Sequence, residues 1–304
     1  MIKRSLKLSV VIVNYNSAKF LESCLKSLQP AITNIKHEII IVDNASTDMS
    51  SILISNLPKE IRVISNNKNV GFAAANNQAM LQAKGKFILL LNPDTEVGLD
   101  SIQTLLKFAE QSEPEVGAFG PTISNYNGAF QRQSIRSLPT PRSALYRLFP
   151  WVGNILGNQP QPYLPYKTAP SQPTKVECLS GSAMMLKASA LDEIGLLDEN
   201  FFMYGEDVDL CKRLIDAGWE SWFVPSSPIM HYGGGSSEKH SVRSNINFYL
   251  AAQKYYVKHF PNTGIWSLAI NTAVIIGIWV KFTLDLAGLL FRRRIQAGSV
   301  KPRP

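Results

Sequence analysis

The apolar residues of the chain change rhythm repeatedly along its first hundred positions. Residues 8–16, LSVVIVNYN, form a continuous apolar run, the pattern of a strand covered on both faces. The next stretch, SAKFLESCLKSL at 17–28, sets Phe20, Leu21, Cys24, Leu25 and Leu28 on one stripe at helical spacing, which predicts a first strand–helix unit. The alternation continues with a strand EIIIVD at 38–43, a turn NASTD, a strand RVISN at 62–66 and a helix from 72 that Gly85 would cap. A strand FILLLN follows at 87–92. Strands alternating with helices predict an α/β fold with a mostly parallel sheet flanked by helices, whose ligand site lies at the carboxyl ends of the strands.

Polar residues gather at those ends. Asn14 and Asn16 follow the first strand, Asp43, Asn44 and Ser46 the second, Asn66, Asn67 and Asn69 the third, and Asn92 and Asp94 the fourth. Asn, Asp and Ser are ordinary turn residues, so any one loop carries little weight. Four loops on one edge of a sheet predict a binding site. Asp94, delivered into a turn by LLLNPDTEV, is either a turn former after Pro93 or a ligand for something in that site.

Further along, 204–214 (YGEDVDLCKRL) predicts a helix with Val208, Cys211, Leu214 and Ile215 on its apolar stripe and Glu206, Asp207 and Asp209 in its first turn. Acids there cap a helix or favour its positive end, and they are equally placed to move a proton. His231 follows the apolar segment WFVPSSPIM and precedes three glycines, which let backbone approach a ligand closely. Small residues Ser180, Gly181 and Ser182 stand before another apolar strand.

The chain ends differently. YLAAQKYYVKHFP at 249–261 has the pattern of an amphipathic helix stopped by Pro261, and 264–291 is a mostly apolar stretch interrupted by Lys281 and Asp285 and followed by Arg292, Arg293 and Arg294. Lys281 inside that stretch makes a single span costly, so a shorter hydrophobic helix with an amphipathic one in the interface is expected. A hairpin buried in an oligomer has the same pattern. The expected parts are a first half at 1–110, a second half at 111–260, and membrane-associated helices with a basic tail at 261–304; the resemblance described below makes the first the donor-binding half and the second the acceptor-binding and catalytic half.

Composition narrows the classes. With 304 residues, 45% hydrophobic, the chain can bury a large core and is neither fibrous nor disordered. Three scattered cysteines make no disulfide framework or zinc site, and nothing at the start resembles a cleavable signal, so a reduced, cytosolic body is expected. The net charge of +8 is spread along the chain and concentrated only in FRRR and KPRP, which points to a membrane surface or a polyanionic substrate and not to nucleic acid. No phosphate loop and no Gly-x-Gly-x-x-Gly follows the first strand. A nucleotide would therefore be held by carboxylates and amides, with a metal to neutralise its phosphates. The region 125–175, rich in Pro, Tyr, Arg and Gln, is expected to be a long loop, as an acceptor lid or as plain surface.

Six ordered stretches, SVVIVNYNS, IIIVDNASTD, NVGFAAANNQAM, LLLNPDTEV, FFMYGEDVDLCKRL and IMHYGGGSS, resemble the inverting family 2 glycosyltransferases of GT-A fold, in particular the bacterial rhamnosyltransferase-like branch. The resemblance covers about residues 6–260. It implies a nucleoside diphosphate sugar donor, dTDP-rhamnose by the branch, and a glycan carried on a polyprenyl diphosphate as acceptor, in cell-surface polysaccharide synthesis at the cytoplasmic face of the bacterial plasma membrane.

It also implies roles for residues. Asp43 would bond the base, with Ser46 beyond it. Asn14 and Tyr15 would line the nucleotide pocket, and Gly71 and Asn76 would close over base and ribose. Asn92 and Asp94 stand where the family has Asp-x-Asp, so the first carboxylate is missing. Asp94 with His231 would hold Mg²⁺ or Mn²⁺ on the diphosphate. Asp207 would be the base, Glu206 would orient the acceptor or support the site, and Gly181 and Ser182 would make room for the acceptor sugar. Two other classes share parts of this pattern. A sugar nucleotidyltransferase should have a Gly-rich, basic loop where this chain has NYNSAKF, and a non-catalytic binding module would not need Asp94, Asp207 and His231 together.

Overall fold

A computed structural model describes residues 4–148, 166–233 and 242–298. The Pro- and Gln-rich stretch 149–165, the later glycines of GGGSS, the tail KPRP and the side chains of Arg292 to Arg294 lie outside the described residues. Contacts divide the chain into two compact units, Met1–Leu138 with Leu164–Ser236, and Pro139–Tyr163 with Ser237–Pro304.

The first unit is built on a nine-stranded sheet. Strands β1 (Leu6–Asn14), β2 (His37–Asp43), β3 (Ile61–Ser65) and β4 (Gly85–Leu91) form a parallel half in the order β3-β2-β1-β4. Register sets the site: Asn14 pairs with Asp43 and Asp43 with Ser65, so these polar ends share one edge. The connecting helices are α1 (Ala18–Ile32), α2 (Ser50–Ser55) and α3 (Phe72–Met80). Helix α1 buries Leu21, Cys24, Leu25 and Leu28 as its period predicts, and it continues past Pro30. Phe20 stays half-buried and stacks on Tyr232.

Gly85 is not the cap of α3. That helix stops at Met80, and Gly85 opens β4, where an added Cβ would lie 2.4 Å from the backbone nitrogen of Ser9. Close strand approach, not helix termination, explains the glycine.

Beyond β4 the sheet is mixed. After β5 (Thr95–Val97), α4 (Ser101–Gln111) and β6 (Val116–Ser124) come a short 3₁₀ turn (Arg132–Ser134) and β7 (Ile135–Arg136). Strands β8 (Thr174–Val176), β9 (Cys178–Leu179) and β10 (Ala183–Lys187) lead to helices α6 (Ala188–Ile194) and α7 (Glu206–Asp216) and to β11 (Glu220–His231). Strand β10 lies antiparallel to β4, with Ala183 opposite Leu91, and β11 lies antiparallel to β5, with His231 opposite Thr95. One sheet thus carries both the early and the later motifs. Helix α7 buries Val208, Leu210, Cys211 and Leu214, whereas Ile215 faces outward.

The second unit contains α5 (Pro141–Leu148), α8 (Val242–His259) and α9 (Ile265–Gly298). Helices α8 and α9 run antiparallel: Tyr249 bonds Asp285, Gln253 bonds Trp279 at 3.0 Å, and Asn271 donates to the carbonyl of Phe260 at 2.7 Å. The apolar tail is one continuous helix and not the shorter one expected from the charge at Lys281. Lys281 and Asp285 pair one turn apart at 3.1 Å, which lowers the cost of both charges. The apolar part, Ile265–Gly288, has 24 residues and contains an 18-residue stretch with a mean hydropathy of 1.7. At 1.5 Å per residue it is about 36 Å long, enough to cross a bilayer.

Candidate active site

The ends of β1 and β2 are organised by amide side chains. Asn14 Nδ2 donates to Asp43 Oδ1 at 3.1 Å and to Ser46 Oγ at 2.9 Å, and Ser46 Oγ also accepts from the amide of Asn16 at 3.1 Å. Asn44 and Asn69 then tie the second loop to the third. Asn44 Nδ2 bonds Asn69 Oδ1 at 3.0 Å, and Asn44 Oδ1 takes the amide of Val70 at 3.0 Å. Tyr15 stands half-buried beside Asn14. Gly71 has φ +93°, and a Cβ there would meet the carbonyl oxygen of Phe202 at 2.6 Å, so only glycine permits the approach. Asn76 is turned inward: it is buried and donates to the carbonyl of Phe72 within its own helix at 2.9 Å. That bond ties its side chain to the first turn of α3.

At the end of β4, Asp94 is buried and its Oδ1 stands 3.2 Å from His231 Nε2. Asn92 contributes a buried Oδ1 without a hydrogen-bond partner. His231 is held from behind by Gln131, whose Oε1 lies 3.0 Å from Nδ1. Among the described residues no three His, Cys, Asp or Glu side chains gather as a metal site. Asp94 and His231 offer one oxygen and one nitrogen donor side by side, a donor set compatible with a divalent cation whose remaining positions are filled by groups from outside the protein.

The acid-bearing side begins where Tyr204 and Gly205 both adopt left-handed backbone, φ +69° and +82°. Two such residues turn the chain sharply into α7. Asp207 Oδ2 forms an ion pair with Arg136 Nη2 at 2.6 Å and accepts from the amide of Gly181 at 3.2 Å, and its Oδ1 accepts from the amide of Val208 at 2.8 Å. A Cβ on Gly181 would sit 3.5 Å from Asp207 Cβ and 3.8 Å from the Phe72 ring, so the glycine keeps open the space in front of the carboxylate. Glu206 is buried, and its Oε2 has no partner. Burial first, then the charge of Asp207, pushes its carboxyl up to about 8. At neutral pH Glu206 is a neutral acid beside a carboxylate, so the two neighbours differ in what they can do with a proton. Asp209 is fully buried against Arg213 at 2.8 Å, and Arg213 also holds the carbonyls of Ile194 and Leu196. It is a structural pair and not a positioning carboxylate.

Short links join the two sides. Asn92 donates its amide to the carbonyl of Ser182 at 2.8 Å, and the residue before Ser182, Gly181, donates to Asp207. Asn77 bonds the carbonyl of Leu197 at 2.8 Å and Glu199 at 2.9 Å, fixing the loop that leads to α7 against α3. Gln131, Arg136, Phe72 and Asn77 are site or supporting residues that periodicity does not reveal. Residues 125–136 are an ordered turn, short helix and strand, and not a loose lid.

The mixed sheet, parallel in its first half and antiparallel where β10 joins β4, has the GT-A fold of solved glycosyltransferases. The chain belongs to glycosyl transferase family 2, whose family model matches residues 9–195. It is 32% identical over 244 residues, 76% of this chain and 77% of the relative, to an N-acetylglucosaminyl-diphospho-decaprenol L-rhamnosyltransferase of Mycobacterium tuberculosis. It is 24% identical over 258 residues to rhamnosyltransferase WbbL of Escherichia coli, covering 82% and 89% of the two chains. The fold is shared with a mannosyltransferase from Pyrobaculum calidifontis solved with GDP-Man and Mn²⁺, at 13% identity and TM-score 0.54, over 99% of this chain and 78% of that one.

Proposed function

We propose that this glycosyltransferase moves L-rhamnose from a nucleoside diphosphate, dTDP-rhamnose, to a glycan linked to a polyprenyl diphosphate, with inversion at the anomeric carbon. The observation that carries the proposal is the chain of bonds Asn92–Ser182–Gly181–Asp207, which supports a donor diphosphate and an acceptor hydroxyl meeting across one small space. The acceptor oxygen attacks C1 of the sugar, the bond from C1 to the diphosphate oxygen breaks, and Asp207 takes the hydroxyl proton. Asn14, Tyr15, Asp43 and Ser46 hold the nucleoside, and Gly71 lets the backbone approach it. Asp94 and His231, with Asn92 beside them, face the diphosphate. A Mg²⁺ or Mn²⁺ held there would offset the negative charge that builds on the leaving group. Gly181 and Ser182 border the acceptor. Glu206, as a neutral acid, supports Asp207 and does not compete for the proton.

The name of the mycobacterial relative, a transferase acting on a decaprenyl diphosphate-linked sugar, supports a lipid-linked acceptor. The exposed apolar part of helix α9, Ile265–Gly288, and the arginines that follow that part in the sequence support attachment at the cytoplasmic, anionic face of a membrane. Transfer assayed with a panel of nucleotide sugars and a polyprenyl diphosphate-linked N-acetylglucosamine, with Mn²⁺ or in EDTA, tests the reading. Selective, metal-dependent use of dTDP-rhamnose is expected. Full activity in EDTA, or preference for another nucleotide sugar, contradicts the metal or the donor assignment respectively.

A further inference from the structure

The side-chain amide of Gln131 makes three hydrogen bonds whose directions are fixed by chemistry. Its Nε2 donates to the backbone carbonyl of His231 at 2.8 Å and to Asn125 Oδ1 at 2.7 Å. A backbone carbonyl only accepts, so Nε2 must lie on that side and Oε1 must face His231 Nδ1, 3.0 Å away. Nδ1 is therefore the donor, and the other ring nitrogen, Nε2, is turned to Asp94 at 3.2 Å. The clamp is rigidly mounted. Gln131 N bonds the carbonyl of Ile123 at 2.8 Å, Phe130 bridges to Ser124, and the turn between them closes through Asn125 and Ala129 at 2.8 Å.

We propose that Gln131 is a positioning residue for the donor diphosphate: it fixes the ring and the Nδ1 proton of His231 so that Nε2 meets the cation bound with that diphosphate. This rests on the metal reading of Asp94 and His231 given above. Partners behind a ligating histidine orient the ring and set its tautomer, and their loss weakens metal binding about 10- to 100-fold. The sequence hides the arrangement, because Gln131 and His231 are 100 positions apart.

The test titrates Mn²⁺ into the purified full chain saturated with dTDP, with free Mn²⁺ followed by electron paramagnetic resonance. Gln131→Leu should weaken Mn²⁺ binding by about 10- to 100-fold while dTDP affinity without metal and the thermal midpoint stay near wild type. Gln131→Glu, which keeps an acceptor at Nδ1 but loses the donor to the His231 carbonyl and Asn125, should recover part of the affinity. Nitrogen-15 spectra of the Mg²⁺–dTDP complex supply a second readout, since the chain has only 4 histidines and His231 is assigned by its loss in His231→Gln. Nδ1 should be protonated and Nε2 bare in the wild type. Wild-type Mn²⁺ affinity in Gln131→Leu, with a large loss in His231→Ala, overturns the role of Gln131 alone. Unchanged affinity in His231→Ala overturns the metal reading and this inference with it.

Discussion

At the scale of single residues, the account turns on two adjacent acids with different duties. Asp207→Asn keeps size and hydrogen-bonding reach but accepts no proton, so turnover should fall by about 10²- to 10⁴-fold with donor affinity nearly unchanged, read by steady-state kinetics and dTDP titration. Glu206→Gln should be milder, because the native side chain is already neutral at pH 7. Its carboxyl ionises near 4.5 when unfolded and near 8 when folded, so folding takes up a proton between those values. The stability tied to that proton is complete below about pH 4.5 and is lost as pH rises towards 8. Glu206→Gln should therefore gain stability over wild type progressively from pH 5 to pH 8 in thermal melts. A gap independent of pH would show Glu206 ionised in the folded protein. Asp209→Asn, by contrast, should lower stability more than turnover per folded molecule, because it breaks a buried pair with Arg213.

At the scale of elements, strands were legible wherever an apolar run ended in polar residues, which is why Asn14, Asp43 and Asp94 could be placed on one edge. The start of α7 was legible for the same reason, since an amphipathic period fixes where its acids stand. Inward and outward faces were less so: Ile215 and Leu210 exchange roles, and Asp209 is buried, because neighbouring loops and not the helix period decide what covers each position. Arg136 and Gln131 were out of reach because the one ends a two-residue strand and the other stands at the start of a 3₁₀ turn, both too short for any period, and they act on partners 71 and 100 positions away. Helix α9 adds a test of its own. Ile276, Val280 and Leu284 are spaced one turn apart and stand 56%, 51% and 67% exposed, while Val274 and Ile278 pack inward. Replacing the three exposed residues with lysine should move the protein from the membrane fraction to the soluble one and leave dTDP affinity unchanged. Continued membrane association would assign attachment elsewhere. Truncation before α9 is a poorer experiment, because it strips the packed face of α8 as well.

At the scale of the whole molecule, one mixed sheet brings an edge of polar strand ends and an acid-bearing helix to the same space. The parallel half supplies Asn14, Asp43 and Asp94, the antiparallel insertion of β10 supplies Gly181 and Ser182, and β11 returns His231 beside β5. The proposed reaction on this arrangement is a single displacement, with leaving group and base on opposite sides of the anomeric carbon and no covalent intermediate. The most direct measurement is the anomeric configuration of the product formed from dTDP-rhamnose and a polyprenyl diphosphate-linked N-acetylglucosamine, determined by nuclear magnetic resonance for the wild type and for Asp207→Asn. A rhamnoside of configuration opposite to the donor, formed by the wild type and nearly absent with Asp207→Asn, is the predicted result. A product that retains the donor configuration, or that forms equally fast without the Asp207 carboxylate, would contradict the account.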